Sequence, residues 1–79
     1  QRVSRYLMKL SETPLCTFDE ENRPVVSATH ELIAEGTAST RESVSKIITE
    51  LRADGLIESG YRSIVLLNVP QLRDISSGF

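Results

Sequence analysis

Tryptophan is absent from the sequence, and cysteine, histidine and methionine occur once each, as Cys16, His30 and Met8. One cysteine cannot close an internal disulfide, and one cysteine with one histidine cannot supply the ligand set of a structural zinc site, so the chain suits a reducing, cytoplasmic setting. A lone imidazole also gives the hydroxyl side chains a single candidate base, and no Gly-rich phosphate loop or nucleophile elbow occurs. No apolar run approaches the roughly 20 residues needed to span a bilayer, and no signal-like segment opens the chain, so no membrane partner is expected. Excess positive charge is lacking as well: 9 Lys plus Arg stand against 11 Asp plus Glu, a net charge of −2. Bulk charge therefore gives nucleic-acid binding no support. The location of the charges decides, because a few cations along a phosphate backbone suffice while acids occupy other faces.

At 79 residues the chain is long enough for one domain with a modest core and too short for a core plus a large enclosed substrate pocket. Asp19, Glu20 and Glu21 form a solvated acidic loop with no apolar pocket to raise a carboxyl pKa, which argues against paired-acid catalysis. No enzyme, metal site or cofactor is expected within these residues. Gln1 in place of an initiator Met is expected of a segment cut from a longer protein.

Val3, Tyr6, Leu7 and Leu10 recur at i, i+3, i+4 and i+7, which predicts a helix over about residues 1–12. Arg2, Arg5 and Lys9 share another face, and Met8 falls off the stripe, as an exposed apolar residue or a contact with a missing neighbouring domain. Pro14 ends the helix, and the runs around "LCTF" and "PVVS" predict a hairpin over about 15–27. Thr29, or Ser27, can cap a short helix running to about Thr37 with Leu32 and Ile33 inward. Val44, Ile47, Ile48 and Leu51 repeat the helical spacing up to about Asp54. Gly55 stands where a left-handed residue would stop that helix, with Leu56 folding back on Leu51. A second hairpin follows over about 56–67, with Gly60 as the first member of a two-residue type II′ loop. Asn68 and Pro70 then open a last short helix over about 69–76 carrying Leu72 and Ile75.

Two helices over about 29–54 joined by a short turn and followed at once by a hairpin are the order of a winged helix-turn-helix, a mainly α fold with small β-hairpins (α+β). Ala34 and Ala38, four apart, are expected where the two helices cross closely. The exposed face of the second helix carries Arg41, able to donate to guanine or phosphate, and Glu42, able to accept from a cytosine amino group. Ser45 and Lys46 beside them can reach base edges or phosphates. A glutamate facing DNA is repelled by phosphate unless a base donor offsets the cost, so Glu42 favours specific readout. The alternative for Glu42 is a capping box over Ser39-Thr40-Arg41-Glu42, and for Arg41 and Lys46 a solvated helix face. Thr29, His30, Thr40, Ser43, Tyr61 and Arg62 are candidates for the DNA backbone. His30 also fits a surface histidine near a helix start, and Tyr61 a shield over its own strand.

"TASTRESVSKIITELRADGLIESGYRSIVLLNVPQL" resembles the C-terminal DNA-binding domain of Crp/Fnr-family bacterial transcription regulators. "TRESVSK" stands beside the family's usual Ser-Arg-Glu-Thr-Val-Ser-Arg, and "DGLIE" and "SIVLL" follow at the expected distances. Lys46 replaces the common arginine, a point charge for a bidentate fork, which weakens discrimination of guanine. The resemblance implies base reading by Arg41, Glu42, Ser45 and Lys46. It also implies a missing N-terminal sensor domain for a cyclic nucleotide or other effector and a homodimer through a missing dimerisation helix. The partners it implies are a pseudopalindromic double-stranded operator and, further, RNA polymerase. A protein-docking winged helix that does not bind DNA is the alternative function.

Overall fold

The computed structural model describes residues 2–77, with side chains through residue 75. Gln1, at which the opening helix is expected to start, lies outside the described residues. In chain order the elements are α1 (Arg2–Ser11), β1 (Cys16–Phe18), β2 (Pro24–Ser27), α2 (His30–Thr37), α3 (Arg41–Ala53), β3 (Ile57–Gly60), β4 (Ser63–Leu66) and α4 (Val69–Ser77). Helices surrounding a small antiparallel sheet in this order form a winged helix-turn-helix.

The core is drawn from every helix and from three strands, with Leu7, Ile33, Val44, Leu72, Val26, Ile57, Ile64 and Leu66 all but sealed from solvent. Around α1 the packing departs from the apolar stripe. Met8 is only 8% exposed, a core residue rather than an outward contact, and Ser4 is buried beside it, while Tyr6 and Leu10 remain half-buried. The reason is that α1 packs against α4, α2 and β2 together, which covers a wider sector than one stripe.

The two hairpins form a single sheet of order β1-β2-β4-β3. The join is β2 on β4, where Val26 faces Ile64 in register and both are buried. Within the first hairpin the loop is organised by Asp19. Its Oδ1 accepts from the backbone N–H of Glu21 (3.0 Å) and Arg23 (2.8 Å), and its Oδ2 pairs with Arg23 Nε at 2.8 Å. The Arg23 N–H first, and then the guanidinium, hold the Asp19 carboxyl below its ordinary pKa.

Both helices of the motif end alike. Gly55 takes φ +74° and the next residue, Leu56, donates its N–H back to Leu51 O at 3.0 Å. At the end of α2, Ala38 takes φ +53° and Ser39 donates to Ala34 O at 2.9 Å. These are Schellman turns, one built on glycine and one on alanine. Ala38 is therefore an exposed turn residue and not the crossing residue anticipated from its spacing, whereas Ala34 is buried in the core. A second small residue, Gly36, makes a close approach: a Cβ there would collide with the Tyr6 ring of α1. Leu32, anticipated inward, is 41% exposed because α2 turns only Ile33, Ala34 and Thr37 to the core.

The wing loop is Tyr61-Arg62, since Gly60 pairs with Ser63, and the left-handed residue is its second member, Arg62 (φ +55°). This differs from the type II′ loop anticipated at Gly60-Tyr61. That register would set Leu66 opposite Gly55, which is already committed to stopping α3; one residue further along, Leu66 pairs with Ile57 and both are buried.

Candidate nucleic-acid interface

Thr40 caps α3 by accepting the Ser43 N–H at 3.1 Å, and its hydroxyl donates to Ser43 Oγ at 3.0 Å. With Thr40 as the cap, Glu42 is the second residue of the helix and makes no capping box; Ser43 occupies the box position. Val44, Ile48 and Leu51 fasten one side of α3 into the core, which turns Arg41, Glu42, Lys46 and Thr49 outward. The side chains of Glu42 and Lys46 make no hydrogen bond or ion pair among the described residues. Arg41 Nη1 lies 3.6 Å from Glu31 Oε1 of α2, with the two side chains 65% and 72% exposed. An exposed pair of this kind contributes at most about 1 kcal/mol, so Arg41 is restrained lightly and can be released to another anion.

Ser45 is half-buried between this outer face and α2, where its Oγ meets His30 Nδ1 at 2.9 Å. The first residue of α2 and the middle of α3 are thus tied by a side-chain hydrogen bond. Thr29 caps α2 through the Leu32 N–H at 3.0 Å. Beyond it the wing tip projects, with Tyr61 89% exposed and the Arg62 guanidinium 5.9 Å from its ring centroid. The tip is anchored where Ala28 donates its N–H to Arg62 O at 3.1 Å. Between tip and α2 lies an open cleft of about 630 Å³ lined by Ser27, Thr29, Leu32, Tyr61, Arg62 and Ser63.

The structure therefore brings Thr29, Tyr61 and Arg62 to one cleft, pairs His30 with Ser45 and Thr40 with Ser43, and leaves Glu42 and Lys46 open on the crest of α3. Glu31, Leu32 and Ser63 join these surroundings without a signal in the sequence. Each depends on the crossing of α2 with α3 or on the strand pairing that seats the wing.

This arrangement has known relatives. Residues 1–75 match the model of the Crp-like helix-turn-helix domain family. The chain belongs to that family. This Crp-like domain is 46% identical over 71 residues to the transcriptional regulator LdrP of Thermus thermophilus, covering 90% of the chain and 36% of the relative. It is 43% identical over 75 residues to the transcriptional regulator SdrP of the same organism, covering 95% of the chain and 37% of the relative. The crystal structure of a CRP/FNR-family transcriptional regulator from Thermus thermophilus superposes with a TM-score of 0.92 at 42% identity, over 98% of this chain and 39% of that one. The domain thus spans less than two-fifths of the length of these regulators.

Proposed function

We propose that this Crp-like domain binds double-stranded DNA sequence-specifically, as the output domain of a bacterial transcription regulator acting in the cytoplasm. The observation that carries the reading is the outer face of α3, where Arg41, Glu42 and Lys46 stand exposed while the opposite face is sealed into the core. In this reading α3 enters the major groove: Arg41 donates to a guanine or a phosphate, Glu42 accepts from a cytosine amino group, and Lys46 reaches a neighbouring base edge or phosphate. Ser45 lies on the same side of the helix, and Thr29, His30, Thr40, Ser43, Tyr61 and Arg62 flank the groove along the phosphate backbone. An acid on the crest supports discrimination over adhesion, because a glutamate is repelled by every phosphate and is tolerated only where a base donor meets it.

The relatives' greater length supports a longer parent protein with an effector-binding sensor domain and a dimerising helix. Two domains would then read half-sites roughly one helical turn, ~34 Å, apart. RNA polymerase is a further partner in this reading. The test is base preference: Glu42→Ala is expected to relax selection at one base pair and leave the others intact. Loss of affinity with an unchanged base profile would contradict the reading.

A further inference from the structure

We infer that Ser45 acts through His30 as a positioning residue: its hydroxyl donates to His30 Nδ1 and so fixes the imidazole with its proton on Nε2, as a neutral donor to a DNA phosphate. The inference rests on the DNA reading above and changes the part Ser45 plays in it. The two atoms are 2.9 Å apart, both side chains are half-buried, and the residues stand on different helices. Either atom could supply the proton. Ser45 Oγ, however, has no other partner among the described residues and makes no bond back to the carbonyl of Arg41, one turn earlier in α3. If Nδ1 carried the proton, the hydroxyl hydrogen would have no protein acceptor. With the hydroxyl as donor, its hydrogen and the Nδ1 lone pair satisfy one another, and the Nε2–H is left for an outside acceptor.

The direction of that bond sets what the ring offers outward. A neutral imidazole that accepts at Nδ1 carries its hydrogen on Nε2, whereas the opposite tautomer presents a lone pair there, which repels phosphate oxygens. His30 opens α2 directly after Thr29, the cap residue, which lines the wing-tip cleft. Ser45 thereby reinforces the donor tautomer and holds the ring in place, and its hydroxyl is engaged with the imidazole before any base comes near. A neutral donor displaces no counterion, so this contact adds affinity without steepening the salt dependence, unlike a lysine or arginine contact, which changes the slope by about 0.9.

The test combines nitrogen-15 NMR of the His30 ring with DNA titration, at about pH 8, of the domain fused to a dimerising coiled coil. In the parent chain and in Ser45→Thr, which keeps the hydroxyl, the Nε2–H tautomer is expected to be the one populated form; in Ser45→Ala the ratio should fall back to that of free neutral histidine, a mixture in which Nε2–H is the larger part. Ser45→Ala and His30→Ala should each weaken DNA binding about 3- to 10-fold. They should do so equally for every base substitution in the site and with an unchanged salt slope, and the double variant should bind no worse than His30→Ala alone. Relaxed selection at one base pair in Ser45→Ala with an unchanged tautomer would overturn the inference and make Ser45 a base reader. A dimer of the domain, fused to a dimerising coiled coil, that shows the Nε2–H tautomer but no affinity for DNA would refute the DNA reading and the phosphate role with it, leaving the Ser45–His30 pair itself intact.

Discussion

Gly55 and Ala38 occupy the same left-handed position at the ends of adjacent helices, so exchanging Gly and Ala at the two sites should have opposite effects. At Gly55 nothing lies within 4 Å of the place a Cβ would take, so Gly55→Ala is opposed by backbone conformation alone and is expected to cost about 1 kcal/mol. At Ala38 that strain is already present, and Ala38→Gly is expected to stabilise by up to about 1 kcal/mol, a rise of roughly 4–8 °C in Tm for a domain of this size by thermal unfolding. Equal signs at the two sites would contradict the assignment of a shared turn. Asp19 makes a prediction in pH. Its folded-state pKa lies below the ordinary 3.8, so the stabilisation is present above the unfolded value and is lost as pH falls through the folded one. Asp19→Asn should therefore flatten the acid limb of a stability–pH profile and leave its alkaline side unchanged.

At the scale of elements, α3 is the part whose structure can be read from its residues: apolar positions at helical spacing, a capping threonine and a stopping glycine all lie within the segment itself. Ala38, Leu32 and Met8 depart from their expected places for a common reason. Each depends on a second element, namely the turn that ends α2, the rotation of α2 over α3, and the close packing of α1 among three neighbours. Joining the hairpins into one sheet likewise requires β2 to find β4 across the whole helical motif. The candidate site follows the same division. The sequence names the polar groups of α3, but its pairings, His30 with Ser45 and Arg41 with Glu31, link residues 15 and about ten positions apart on different helices. Ala34, which is buried in the core, tests the packing of α2: Ala34→Leu is expected to overfill it at a cost of about 1–3 kcal/mol, measurable by urea unfolding. Across the crest of α3, losing a good base contact is expected to cost about 1–3 kcal/mol for the preferred base and little for others.

For the whole molecule, the net charge of −2 matters less than its distribution. Glu42 stands on the crest of α3 beside Arg41 and Lys46, while Asp19 and Glu21 are paired with Arg23 in the β1–β2 hairpin. A single domain is expected to bind weakly, because tethering a second copy raises its effective concentration at the neighbouring half-site and can multiply apparent affinity by orders of magnitude. Salt should weaken that binding steeply, with each phosphate neutralised by a cation adding about 0.9 to the slope of log affinity against log salt. The most direct measurement is selection from a randomised duplex pool by this domain fused to a dimerising coiled coil, read by fluorescence anisotropy beside Glu42→Ala and Lys46→Ala. Recovery of a two-fold site, with each variant relaxing a different base position, is the predicted result. No salt-dependent DNA binding by the dimer would contradict the account and indicate a winged helix that docks on protein.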